Sequence, residues 1–180
     1  MASALLLHGG RALADTWMVD PAASTLGFTV QIAGGAVEGG FTTWMAEIVY
    51  DPAAPEVGSV VVSIDMASVF IAMPEAAAVI GGADWLAIAQ HPVGVFEGAG
   101  FRMSPAGHFS LPGTLTLRGH THAVTLAGTL SIEEATAEVH LTAPIQRADH
   151  AVGAPDPMVA AEVVVTARIV ATRNNGLSKN

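Results

Sequence analysis

The sequence predicts an all-β domain, folded as an antiparallel sandwich or a closed barrel. Apolar and polar residues alternate with a period of two along about eight segments, the pattern of strands with one buried face. Short turn signals rich in Gly, Pro and acidic residues separate these segments. Of the 180 residues, 51 % are apolar and only 13 % are charged, which indicates a large apolar interior.

The alternation can be followed strand by strand. In the first clear strand Leu26, Phe28, Val30 and Ile32 share one face, with Gly, Thr and Gln between them. The same spacing recurs later, with apolar residues at alternate positions of 60–66, 109–117, 124–132, 137–141 and 163–169.

The stretch 74–92 breaks this rhythm because its apolar residues are closely spaced and rich in Ala. Trp85, Ile88 and Ala89 fall at i, i+3 and i+4, which predicts one short helix over residues 83–90. The His-Pro pair that follows would end the helix, since the residue before a proline is biased away from helical conformation.

Residues 1–14 are expected to be a truncated signal peptide, with an apolar run at 4–7 and an Ala-x-Ala sequence ending at Ala14. The basic segment that usually precedes the apolar run is missing, so an ordinary N-terminal tail is the alternative. The barrel domain is then expected over residues 15–172, with a C-terminal tail at 173–180. A signal peptide predicts secretion into the periplasm.

Composition excludes several functions. Acidic residues outnumber basic ones by 16 to 7, giving a net charge of −9, and nucleic acid is therefore not an expected partner. The chain contains no Cys, which excludes disulfides, thiolate metal sites and a cysteine nucleophile. No apolar run reaches the roughly 18 residues of a membrane helix.

An eight-stranded barrel is just wide enough to be filled by side chains or to hold one small ligand. Large apolar residues beside small ones suit an apolar slot, and they equally suit an ordinary packed core. The residues expected to line a slot are Phe28, Val30, Phe41, Trp44, Ile64, Phe70, Trp85, Phe96, Phe101, Leu115, Leu117 and Val165.

Five motifs, in order along the chain, resemble the YceI-like family. They are WMVDPAASTLGF at 17–28, GGF at 39–41, ADWL at 83–86, GTLTLRG at 113–119 and RADHAVG at 147–153. The resemblance implies an extended eight-stranded lipocalin-like barrel, secreted or periplasmic, that encloses a polyprenyl lipid or an isoprenoid quinone. The sequence around ADWL is similar to that of the branch associated with membrane b-type cytochromes, and the resemblance therefore implies a cytochrome of this kind as a partner.

The chain departs from the family pattern at several positions. Ala23 stands where the family often has His, Leu86 and His150 replace Phe, and Ala151 replaces the Gly of the R-x-D-F-G motif. The loop at 69–80, usually polar, is apolar here. It would extend the slot, form a partner surface or act as a buried lid.

Arg118, Arg147 and Asp149 are the polar residues within these motifs. They are expected either to pair with one another and tie down turns or to contact the head group of a ligand. No catalytic residue is expected, since none of the serines has a Gly-x-Ser-x-Gly context.

The histidines allow a second interpretation. His120 and His122 lie two residues apart, so both would face one side of a strand, a spacing compatible with a metal site. His108, His140 or His150 would have to supply a third ligand. Solvent-facing turn residues are the simpler interpretation, and neither a metal nor another cofactor is expected.

Three hypotheses follow. The first is a carrier, without enzyme activity, of an isoprenoid-type lipid or quinone. The second is a ligand-free interaction module for a membrane redox partner, with its barrel filled by its own aromatics. The third is metal-assisted chemistry at the histidines. Homodimerisation through a sheet edge or through the apolar loop is compatible with all three.

Overall fold

The computed structural model describes residues 15–153 and 155–174 and confirms the all-β prediction. The predicted signal peptide at 1–14 and residues 175–180 of the predicted tail lie outside the described residues. The described strands are β1 Thr16–Val19, β2 Thr25–Ile32, β3 Gly35–Phe41, β4 Trp44–Val49, β5 Ser59–Asp65, β6 Val69–Ile71, β7 Val93–Ala99, β8 Arg102–Met103, β9 His108–Leu117, β10 His120–Glu133, β11 Thr136–Gln146 and β12 Val159–Asn174.

These segments form one antiparallel sheet that closes on itself as an eight-stranded barrel. The ring runs β1-β4-β5-β7-β9-β10-β11-β12 and returns to β1, which pairs with the end of β12. Strands β2, β3 and β6 extend the barrel wall beyond β1, β4 and β5, respectively. Strand β2 pairs with both β12 and β3, and β3 pairs with β6. Closure leaves no free edge around most of the ring.

Short 3₁₀ turns, at Pro55–Val57, Met66–Ser68, Pro105–Gly107 and Arg147–His150, connect parts of the barrel. The strand register shows which turns and strand ends lie together at each end of the barrel. The β1 start, the β10–β11 turn and the β12 end lie together at what we call the aromatic end. The β9–β10 turn, residues 72–92 and residues 147–158 lie at the opposite end, which we call the loop end.

The predicted helix at 83–90 is wrong. The single α-helix of the described residues is α1, Pro74–Ala77, where Pro at the first helical position needs no hydrogen-bond acceptor for an N–H. Residues 83–90 form successive turns, because Ala87 has a φ of 47° and its amide donates to Gly82 O, five residues back. A left-handed Ala cannot continue a right-handed helix.

Within the described residues, no helix is long and apolar enough to cross a membrane. The chain continues in strand conformation to Asn174, two residues beyond the boundary expected for the domain.

Candidate ligand cavity

The barrel interior is hollow. A cavity of about 480 Å³ runs along the barrel, from Trp17 and Tyr50 at the aromatic end to Trp85, Arg147 and His150 at the loop end. This volume lies within the range of roughly 300–1,000 Å³ that is typical of small-molecule sites. Inward-facing residues such as Phe28 and Val165 are only partly buried, because they border this space and not packed neighbours.

Eleven of the twelve residues expected to line a slot border the cavity, all but Phe70. Phe70 is 51 % exposed, and its ring covers Gly40 of the neighbouring strand, where a Cβ would lie 2.9 Å from the ring. It is therefore an outward residue of β6, whereas the alternate residue Ile71 faces the cavity.

The cavity is also lined by residues that were not among the twelve expected from the sequence. Strands β10 and β11 contribute Leu126, Leu130, Val139 and Leu141, which belong to the apolar alternation seen in the sequence. The apolar loop contributes Met73, Val79 and Ile80, together with Leu86 of the turns that follow. That loop therefore extends the cavity, which is one of the three roles open from the sequence.

Packed aromatics close the aromatic end. The Trp17 indole N–H donates to Tyr50 O at 3.0 Å, and the Tyr50 and Phe101 rings meet edge to face at 5.0 Å. Phe109 continues the cluster, 5.9 Å from Phe101 between centroids. All four side chains are buried. This end is therefore a blind apolar floor.

The loop end is covered by the turns of residues 81–91, held by a small number of contacts. The Arg118 guanidinium donates to Ala83 O at 2.8 Å, and the Gly153 amide donates to Asp84 O at 2.8 Å. Gly153 has a φ of +68°, and a Cβ there would lie 2.7 Å from Arg147 Nη1. Only glycine fits this close approach.

Arg147 is buried, 7 % exposed, at the loop end of the cavity. Its guanidinium donates three hydrogen bonds to backbone carbonyls: Nε to Ala160 O at 2.8 Å, Nη1 to Val152 O at 2.8 Å and Nη2 to Val159 O at 3.1 Å. It also lies 6.0 Å from the centre of the Trp85 ring. The ion pairs of the described residues do not include Arg147.

His150 is 1 % exposed and also borders the cavity. Its Nδ1 lies 3.0 Å from His120 O, and because a carbonyl can only accept, Nδ1 carries the proton. The His122 ring meets the His150 ring edge to face at 5.3 Å. Burial lowers the pKa of His150 and outweighs the bond to His120 O, which raises it, so the ring is neutral near pH 7.

The three polar residues of the motifs therefore have different roles. Arg118 and Arg147 tie down backbone turns, whereas the exposed Asp149 lies 4.0 Å from His122 Nδ1. Of the three, Arg147 alone borders the cavity. Ala151 has a φ of 52°, a left-handed conformation that costs a residue with a Cβ about 1 kcal/mol, which explains the glycine in the motif.

The histidines of the described residues do not converge on a metal site. Within the part of the chain that the structure describes, no group of three His, Asp or Glu residues has an arrangement that could hold an ion. His140 lies on the outer wall and bonds Glu138 at 3.1 Å. From the sequence, His150 is considered only as a third metal ligand, and its contact with the cavity is not predicted.

Stability should depend on pH through His150. Its pKa is lower in the folded protein than the ordinary 6.5, so its stabilising contribution is complete above that value and is lost as pH falls through the folded pKa. Urea unfolding between about pH 8 and pH 5 should show a decline that is shallower in His150→Phe. His108→Phe, which removes an exposed histidine that does not border the cavity, is the control.

Comparison with known proteins shows a family match over nearly the whole chain. The model of the YceI-like domain matches residues 17–171. A UPF0312 protein of Azotobacter vinelandii is 30 % identical over 125 residues, which are 68 % of this chain. The match spans 65 % of that relative's length.

Two solved structures share the barrel. Burkholderia cenocepacia BcnA superposes with a TM-score of 0.80 at 27 % identity, covering 86 % of this chain and 99 % of BcnA. The Campylobacter jejuni YCEI protein gives a TM-score of 0.64 at 18 % identity, covering 76 % and 84 % of the two chains, and supports the fold alone. A mutant of the latter was crystallised with monobromobimane as a guest.

Proposed function

Because this chain belongs to the YceI-like domain family, we propose that it is a periplasmic binding protein whose barrel holds an isoprenoid-type lipid or quinone. The observation that carries the proposal is the cavity: a single apolar space of about 480 Å³, elongated along the barrel and blind at the aromatic end. We infer no catalytic step, and the protein acts by binding.

Packing alone can hold an apolar chain in such a space. Each 100 Å² of apolar ligand surface removed from water contributes about 2.5 kcal/mol before the cost of association is subtracted. Few polar groups are then required, and they serve to orient the head group. The aromatic floor accepts a tail, whereas the loop end supplies the Arg147 guanidinium and the His150 imidazole.

The shape of the interior favours a carrier over a ligand-free interaction module. A module of that kind requires a barrel filled by its own aromatics. Here Phe28 and Phe41 are only partly buried and border open space, whereas the aromatics of the floor are buried. Acidic residues exceed basic ones by 16 to 7, so recognition through the tail is more consistent with the charge than adsorption to anionic lipid surfaces.

Extraction of purified protein tests the proposal. We expect protein exported to a bacterial periplasm to release about one apolar lipid per chain into organic solvent, with isoprenoid fragments in mass spectrometry. Protein that carries no lipid and also fails to take up an added C20 isoprenoid would overturn the proposal. The b-type cytochrome partner that the resemblance implies is tested separately, by incubating the tagged protein with solubilised membranes and measuring haem absorbance in the eluate.

A further inference from the structure

The loop end of the cavity combines a hydrogen-bond donor with an acceptor. Arg147 and His150 are the first and last residues of one 3₁₀ turn, and side chains three residues apart in such a turn lie on the same side. Both border the cavity. The loop end therefore contains one short polar segment. The rest of the cavity lining is almost wholly apolar.

His150 presents an acceptor. Since Nδ1 carries the proton that bonds His120 O, the neutral ring has its lone pair on Nε2. Nε2 has no hydrogen-bond partner among the described residues. It is also not sealed off, because Arg173 Nε is the one fully buried side-chain N or O atom without a partner in the described chain. Nε2 is therefore left with a small accessible surface, in a residue that borders the cavity.

Arg147 presents donors. Three of its five N–H groups are used by Ala160 O, Val152 O and Val159 O, and two have no acceptor within the described residues. Glu75 is the carboxylate of the cavity lining, but it is exposed and makes no described ion pair with Arg147. A buried guanidinium with spare donors attracts an oxygen atom of the ligand.

We propose that Arg147 and His150 form a head-group subsite that selects isoprenoids ending in a hydroxyl group, namely alcohols, phenols and quinols. A hydroxyl oxygen accepts from the Arg147 guanidinium while its proton is donated to His150 Nε2. An ether or quinone carbonyl accepts from Arg147 but has no proton for His150 Nε2. An ammonium group donates to Nε2 but is repelled by the positive charge of Arg147. The inference rests on the proposed function and narrows its ligand class.

The motif that RADHAVG resembles has Phe at the position of His150, and Phe supplies no acceptor. His150→Phe is therefore the matched test, since it exchanges one planar ring for another and removes only the polar function. His140→Phe is the control, because that histidine lies on the outer wall beside Glu138.

The experiment compares three C20 isoprenoids that share one tail, geranylgeraniol, its methyl ether and geranylgeranoic acid, by titration calorimetry near pH 7.5. We expect the alcohol to bind about tenfold more tightly than the ether, the effect of one hydrogen bond, and at least as tightly as the acid. In His150→Phe the ratio of alcohol to ether should fall to about twofold or less, with ether affinity retained. His140→Phe should keep the wild-type ratio.

Each result has a distinct meaning. Equal affinities of the wild-type protein for alcohol and ether overturn the subsite while leaving the carrier proposal intact. Tighter binding of the acid by tenfold or more also overturns it, because the cation alone would then determine selection. If none of the three isoprenoids binds, the proposed function itself fails. The wild-type comparison needs no variant, so it decides the question even if His150→Phe does not fold.

Discussion

An Ala46→Trp variant is expected to fold and to lose about 60-fold in affinity for isoprenoids. Ala46 lies in the middle of β4 and borders the cavity between Trp44 and Ile48. An indole placed there would occupy a large part of the 480 Å³ and exclude the ligand tail from it. If about 100 Å² of tail contact is lost, binding weakens by about 2.5 kcal/mol, which is the stated factor.

The preceding residue provides the matched control. Met45 is 72 % exposed on the outside of the same strand, so Met45→Trp introduces the same side chain on the other face of the sheet. Its isoprenoid affinity should stay within twofold of wild type. Calorimetric titration of both variants, with near-ultraviolet circular dichroism to verify folding, makes the comparison. Wild-type affinity in folded Ala46→Trp would show that the ligand does not occupy the barrel.

The walls of the cavity could be predicted from the sequence because strand geometry is local. A period of two fixes which side chains share a face, whatever the rest of the chain does. Leu26, Phe28, Val30 and Ile32 were placed on one face, and all four border the cavity. The alternation does not reveal whether that face meets packed neighbours or open space, since this depends on how the ring closes.

The loop end could not be predicted because its conformation depends on contacts between distant residues. The Ala-rich spacing around Trp85 favours a helix by itself, yet the segment is turned by bonds to Arg118 and Gly153. The acceptor role of His150 also depends on a carbonyl 30 residues earlier in the chain. The one local signal was the presence of His where the motif has Phe.

Arg147 should make the largest single contribution to stability at the loop end. Strand β12 shifts register against β2 between Val159 and Val163, and two of the carbonyls that Arg147 bonds, Val159 O and Ala160 O, lie in this irregular stretch. In Arg147→Met these two and Val152 O lose their donor. At about 1 kcal/mol or more for each buried carbonyl left unpaired, the free energy of unfolding should fall by about 3 kcal/mol.

Arg118→Met is the control, because it also replaces an arginine by methionine but removes fewer hydrogen bonds. Arg118 is less buried and donates one described bond, to Ala83 O, so its replacement should lower the free energy of unfolding by less than about 1 kcal/mol. Urea unfolding of both variants at constant pH measures the difference. A buried cation is costly to desolvate, and its removal recovers part of that cost where water reaches the three carbonyls. Equal stability of the two variants would contradict the prediction and would show that water hydrates the three carbonyls once Arg147 is replaced.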